Sequence, residues 1–262
     1  MSDMSNGVMV AAGQFEPRQG DMRWNISRVL ELASQAGVKG ADLVVLPELA
    51  TTGYYMFNKF HDLAEPLDGP TVAVVHELAK RYDYHVVMGL AEKGDDGKVH
   101  DSSVLIGPSG LQGVYRKIHL WDTENSVFTP GDQVMAPETG GPLGRVGLLV
   151  CYDLEFPETA ERVGALGASL LAATAAFTNL TLWQATLKAR ARDLGVPVVA
   201  ANRIGHEMDT DFCGHSSIVA PDGTVLAEAG DEPGLVMAEV VVDPTGKGRP
   251  TKDSRLIHPE FG

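Results

Sequence analysis

The sequence predicts an α/β fold, and three observations predict it. Short apolar runs of strand length recur along the chain, helical patterns fill the intervals between them, and a Pro-Asp-Gly turn closes a late hairpin. The strand-like runs are Val8–Gln14, Leu43–Leu46, His85–Leu90, Ser103–Ile106, Gly113–Arg116, Arg145–Val150, Ser169–Thr174, Val196–Ala201 and Leu235–Val242. Ser216–Ala220 and Thr224–Glu228 flank Pro221-Asp222-Gly223, the hairpin signal. Among the helical patterns, Asn25–Ala36 puts Ile26, Val29, Leu30 and Ala33 on one face. Pro70 opens a helix through Tyr82 and Pro157 another through Leu166, because proline at the first helical position forfeits an N–H that has no intrahelical partner. Leu180–Leu194 is a further pattern, stopped by Gly195.

Two stretches echo each other. Gly40-Ala41-Asp42-Leu43 and Gly167-Ala168-Ser169-Leu170 each end a helix and start a strand, which suggests two related halves, although helix-Gly-strand is also common grammar in α/β chains. No linker-like composition interrupts the chain, so residues 1–262 read as one domain with an irregular tail from Asp243.

The bulk numbers narrow the function classes. The 262 residues carry a formal charge of −14, and a strongly acidic surface repels phosphate backbones and anionic lipid. Nucleic-acid and membrane partners are therefore not expected, and no apolar run has the length of a membrane span. Two cysteines, Cys151 and Cys213, do not make a disulfide framework. With a polar start from Met1 to Gly7, this predicts a cytoplasmic protein with reduced thiols.

Three reactive side chains directly follow apolar strand runs: Glu48 after Leu43-Val44-Val45-Leu46-Pro47, Lys117 after Val114-Tyr115-Arg116, and Cys151 after Val146-Gly147-Leu148-Leu149-Val150. Ligands in α/β sheets bind at the carboxyl ends of strands, so these groups can converge. Singly, each also reads as ordinary structure: a buried apolar cysteine, a loop carboxylate, a surface cation. Cys213 reads as structural. The eight histidines form no His-Glu-x-x-His and there is no paired-cysteine spacing, so no metal and no cofactor are expected.

The residues around the three groups decide the reading. Leu46-Pro47-Glu48-Leu49 with Gly53-Tyr54, Tyr115-Arg116-Lys117-Ile118-His119-Leu120 with Glu124, and Cys151-Tyr152-Asp153 with Phe156-Pro157-Glu158 occur in order. So do Lys188-Ala189-Arg190-Ala191, Ala201-Asn202-Arg203 and Gly214-His215-Ser216. On these motifs the chain resembles the nitrilase superfamily of carbon–nitrogen hydrolases from about Val8 to Val242. The resemblance implies a four-layer α-β-β-α sandwich, a homodimer or larger homo-oligomer, and a small-molecule amide substrate. It also implies Glu48, Lys117 and Cys151 as a catalytic triad with Glu124 as a fourth member.

The expected chemistry is acyl transfer through a thioester on Cys151. Glu48 takes the thiol proton, while Lys117 and the Tyr152 backbone N–H bind the oxyanion. The helix from Pro157 is expected to turn its positive end toward the nucleophile. Tyr152 stands where nitrile-cleaving relatives usually have Trp, which points to amides. Glu155 stands in a stretch where relatives acting on dicarboxylate monoamides have Arg, which points away from anionic substrates. Asp193-Leu194 departs from a usual Glu-Asn. Tyr54, Glu155 and Phe177 are the candidate substrate-binding residues, and Trp183 reads as core. N-carbamoyl-amide, ω-amide and nitrile hydrolysis are the rival reactions, and a catalytically silent binding protein is the rival class.

Overall fold

The computed structural model describes residues 6–245, and the expectations placed on residues 1–5 and 246–262 lie outside the described residues. The first half runs β1 (Asn6–Gln14), α1 (Met22–Val38), β2 (Leu43–Val45), α2 (Phe60–Leu63), α3 (Pro70–Tyr82), β3 (His85–Lys93), β4 (Val99–Gly107) and β5 (Gly110–Arg116). The second half runs β6 (Val146–Val150), α4 (Pro157–Ala165), β7 (Leu170–Ala175), α5 (Leu180–Leu194) and β8 (Val198–Asn202). It continues through β9 (Ile204–Glu207), β10 (Thr210–Cys213), β11 (Ser217–Val219) and β12 (Val225–Glu228), and β13 (Gly234–Val242) is the last element among the described residues.

Each half makes one sheet. The first has the order β13-β1-β2-β3-β4-β5, the second β12-β11-β8-β7-β6. In both, three strands joined through helices are parallel and the following two are antiparallel, as short connections require. The Gly-Ala echo falls at the start of β2 and of β7, equivalent strands of the two halves. β13 returns to the first sheet and pairs with β1 from Asn6↔Val242 to Gln14↔Gly234.

Alternation along the strands builds the layers. Val10 and Ala12, Leu43 and Val45, Val87 and Leu105 pack with Leu148, Val150 and Ala172 of the second sheet. Ala11, Val44, Val86, Met88 and Val104 turn the other way, onto Val29 and Ala33 of α1 and Val72 and Val75 of α3. α4 and α5 contribute Ala160, Val163, Leu187 and Ala191 to the core of the second sheet. The result is the expected four-layer α-β-β-α sandwich.

Local chemistry sets the helix ends. α3 and α5 span the predicted residues, with Pro70 at the first turn and Gly195 at φ 63° after the last. α1 starts three residues before the predicted Asn25 because the Asp21 carboxylate caps it, accepting from Trp24 N–H at 3.1 Å. Its buried stripe is Val29, Leu32, Ala33 and Ala36, leaving Ile26 and Leu30 half-buried at the edge. β9 and β10 form a hairpin in a stretch with no strand pattern in the sequence. No helix among the described residues is long and apolar enough to cross a membrane.

Candidate active site

The carboxyl ends of the strands bring the reactive residues together between the sheets. Cys151 is the first residue after β6 and opens a 3-10 turn, Cys151–Glu155. Its φ is 45°, a left-handed conformation that costs a non-glycine residue about 1–3 kcal/mol and occurs where function holds it. This turn runs from Cys151 into α4, whose first residue is Pro157, so the positive helix end follows the cysteine loop.

Glu48 leaves β2 through Pro47, and its N–H donates across to the Ala175 carbonyl of β7 at 3.4 Å. Gly89 of β3 makes room for this crossing. A Cβ there would lie 2.5 Å from Glu48 Cα and 2.7 Å from the Pro47 carbonyl. Lys117 follows β5, tied by its N–H to the Asp101 carbonyl of β4 at 2.8 Å. Glu124 lies in a short 3-10 turn, Asp122–Ser126, and accepts from Trp121 N–H at 2.8 Å. His119 locks this segment to the cysteine turn: its Nδ1 lies 2.8 Å from Asp153 Oδ1 and its ring stacks on Phe156 at 3.8 Å.

The Lys117 ammonium is the hub. Its Nζ donates to Glu48 Oε1 at 2.6 Å and to Glu124 Oε1 at 2.7 Å, and lies 3.5 Å from Asp101 Oδ2. The Tyr54 hydroxyl donates to the same Glu124 oxygen. All these groups are buried. Oxygens of Glu48, Asp101 and Glu124 lie within 4.8 Å of one another, a spacing that also suits a metal ion, but the cation they surround is the lysine. Asp101 was not singled out from the sequence.

Electrostatics follows from burial. The Cys151 thiol is pushed well above its ordinary range by desolvation and by Glu48, and Lys117 and the Ala176 backbone only partly oppose this. Burial works to lower the Lys117 pKa, but Glu48, Glu124, Cys151 and Asp101 outweigh it and hold the ammonium charged. Desolvation raises Glu124 against the pull of Lys117. Burial and Glu48 thus disfavour the thiolate form of Cys151. Lys117 alone does not produce a standing thiolate.

A cavity of about 300 Å³ opens above Cys151. Tyr54, Tyr55, Trp121, Tyr152, Phe177 and Phe212 supply aromatic walls, and Glu155 is its one charged lining residue among the described residues. The three candidate binding residues, Tyr54, Glu155 and Phe177, thus share one pocket. Trp183 is fully buried and donates from Nε1 to the His215 carbonyl at 2.7 Å, so it is core. Burial raises the Glu155 pKa.

The remaining motifs hold these walls. Asn202 Oδ1 accepts from Phe177 N–H at 2.7 Å, and its Nδ2 donates to the Gly214 carbonyl at 2.8 Å. Glu207 accepts the N–H groups of Tyr54 and Tyr55, both at 2.9 Å, and pairs with Arg203, whose guanidinium lies 4.0 Å from the Phe212 ring centre. Asp193, the departure noted in the sequence, pairs with the buried Arg190 at 2.9 Å. Phe212 escaped the sequence reading with its hairpin. Trp121 was within reach, lying between Lys117 and Glu124 in the motif.

Residues 9–249 match the carbon-nitrogen hydrolase family. The chain belongs to that family. It is 36% identical over 252 residues to an (R)-stereoselective amidase from Pseudomonas sp., covering 93% of this chain and 90% of the relative. It is 33% identical over 231 residues to an omega-amidase of Homo sapiens, covering 82% of each. Among solved structures, an amidase from Nesterenkonia sp. AN1 superposes with a TM-score of 0.82 at 26% identity, covering 98% of this chain and 99% of that one. That structure shows covalent addition of the acetamide moiety of fluoroacetamide at its active-site cysteine. This carbon–nitrogen hydrolase is accordingly a hydrolase acting on carbon–nitrogen bonds, with the nitrilase-type fold.

Proposed function

We propose that this hydrolase is a thiol-dependent amidase that converts a small, neutral aliphatic carboxamide to carboxylate and ammonia. The carrying observation is Cys151 at the floor of an aromatic pocket, on a left-handed turn, against the Glu48–Lys117–Glu124 array. The Cys151 thiol gives its proton to Glu48 as sulfur bonds to the amide carbon, a concerted step because burial disfavours a free thiolate. Lys117 and the Tyr152 N–H stabilise the oxyanion, at about 3 kcal/mol per donor. Glu48 passes the proton to the departing ammonia, breaking the C–N bond. Water, with Glu48 as base, then hydrolyses the thioester and restores the thiol. Glu124 holds Lys117 and the amide nitrogen.

The pocket supports a neutral acyl group. Its aromatic walls favour apolar contact, and its one charged side chain, Glu155, repels a carboxylate. A second reading, an amide bearing an ammonium group, is favoured by that same glutamate beside aromatic faces.

The test is ammonia release from short aliphatic amides, a dicarboxylate monoamide, an N-carbamoyl amino acid, a nitrile and an amino-acid amide. Aliphatic amides are expected to lead, and hydroxylamine should divert the acyl group to a hydroxamate. Release from the dicarboxylate monoamide or the nitrile alone would overturn the substrate assignment. Absence of hydroxamate, with hydrolysis intact, would overturn the thioester.

A further inference from the structure

Glu48 and Asp101 present an unresolved meeting of acceptors. Asp101 lies on β4 four residues before Leu105, so both point to the interior between the sheets. Asp101 is 1% exposed and Glu48 0%. Among the described residues nothing donates a hydrogen bond to Glu48 Oε2 or to either Asp101 oxygen. A buried carboxylate left in this condition is costly, and two facing each other are more so.

The cation does not resolve it. Lys117 Nζ sits within hydrogen-bond distance of Glu48 and Glu124, at 2.6 and 2.7 Å, and stands back from Asp101 at 3.5 Å. Charge counting gives the same answer. The oxygens of Glu48, Asp101 and Glu124 lie within 4.8 Å of one another around the single Lys117 ammonium, so each further carboxyl that ionises adds a like charge to a crowded, buried cluster.

We propose that Asp101 is a neutral acid in the folded enzyme, donating its O–H to the free oxygen of Glu48 and so positioning that glutamate to receive the Cys151 proton. One added proton then gives Glu48 Oε2 a donor and removes the charge from Asp101, whose remaining carbonyl oxygen is left facing the Lys117 side of the cluster. The groups acting on Asp101 agree: burial and Glu48 raise its pKa well above the ordinary carboxyl range, Glu124 adds to this, and Lys117 opposes without prevailing. Such carboxyl–carboxylate pairs are a recognised way of holding one proton between two acids. Asp101 acts through Glu48 and touches no reacting atom. Its value to turnover rests on the amidase reading above, whereas its protonation does not.

The experiment compares the wild type with Asp101→Asn and Asp101→Ala. Asparagine keeps a neutral N–H donor toward Glu48, and alanine does not. D101A should lower kcat/KM by roughly 10- to 100-fold, the scale of leaving one buried polar group unsatisfied, mostly in kcat. D101N should stay at least about tenfold above D101A. The wild-type-minus-D101N infrared difference spectrum at neutral pH should contain a protonated-carboxyl C=O band that shifts in deuterium oxide. Absence of that band, or a D101N as impaired as D101A, overturns the proposal. The spectrum needs no turnover and does not depend on D101A folding. Failure of Asp101 to be protonated is therefore distinguishable from failure of the amidase assignment, which Cys151→Ala tests separately.

Discussion

From β1 to β5 and from β6 to β12 the two main sheets are laid down alike, three parallel strands joined through helices and then two antiparallel strands, with α2 added in the first half and the β9–β10 hairpin in the second. What stands at the strand ends differs. Counted from Gly40 and Gly167, Glu48 and Ala175 hold the same place, and the two meet across the sheets. After β1 comes the buried Phe15, after β6 the strained Cys151; after β5 comes Lys117, after β12 Ala229. The first half thus collects the groups proposed to handle protons, Glu48, Asp101, Lys117 and Glu124 from the loop that follows it. The second half supplies Cys151, the proposed nucleophile, and much of the pocket wall. A symmetric scaffold buries the apolar faces of both sheets, and the asymmetry is confined to the ends, where neither half has a complete site.

Breaking that division at the nucleophile has the largest expected effect. Cys151→Ala should fold and lose about 10⁴-fold or more in amide hydrolysis, measured as ammonia release with thermal unfolding as the control. Near wild-type turnover would place the nucleophile elsewhere. On the other side, Lys117→Met removes the cation shared by closely packed carboxyls. Both turnover and about 3–5 kcal/mol of stability should go, read by denaturant unfolding. An unchanged midpoint would mean the carboxyls are already neutral.

Gly89→Ala tests the crossing itself. The added Cβ meets backbone at 2.5 Å, so Glu48 must shift. kcat should fall by about 10- to 100-fold with little change in KM, at a cost in stability of about 1–3 kcal/mol. A mutant with wild-type kcat would show that Glu48 tolerates displacement.

A pH titration sharpens the contrast in protonation. Burial and Glu48 raise Asp101 above an ordinary carboxyl pKa of about 3.9, so the folded state keeps a proton that the unfolded state sheds. Stability from this group is lost as pH rises above about 4 and until the folded pKa is passed, with a limiting slope of about 1.4 kcal/mol per pH unit. The unfolding free energy of D101N relative to wild type should accordingly grow with pH. A difference that stays flat across this window would mean that Asp101 ionises alike in both states. The smallest effect belongs to the pocket wall. Glu155→Gln should leave neutral amides within about threefold in KM and weaken a cationic amide by up to about fivefold, the scale of a solvent-exposed charge pair.

Much of this was legible in the chain. Apolar runs marked the parallel strands because both faces of those strands are buried, and proline and glycine marked α3 and α5 because their backbone constraints are local. Glu48, Lys117 and Cys151 were readable as strand-end residues, and the motifs around them carried the family.

What escaped has one physical cause: burial that the flanking sequence does not announce. β4 was read from Ser103 because Val99–Ser102 looks like a polar end, yet all nine residues from Val99 are buried between β3 and β5, which brings Asp101 inside. The β9–β10 hairpin has no apolar alternation and owes its place to Glu207, Arg203 and Phe212 packing on the Tyr54 loop. By itself the sequence determined the strands and longer helices of the two main sheets and which reactive side chains follow those strands, since propensity and periodicity act over a few residues. Only the tertiary structure decided that burial pushes the Cys151 thiol pKa up, that Lys117 serves both Glu48 and Glu124, and that Asp101 lies beside them, because desolvation and charge pairing depend on what long-range folding brings within a few ångströms.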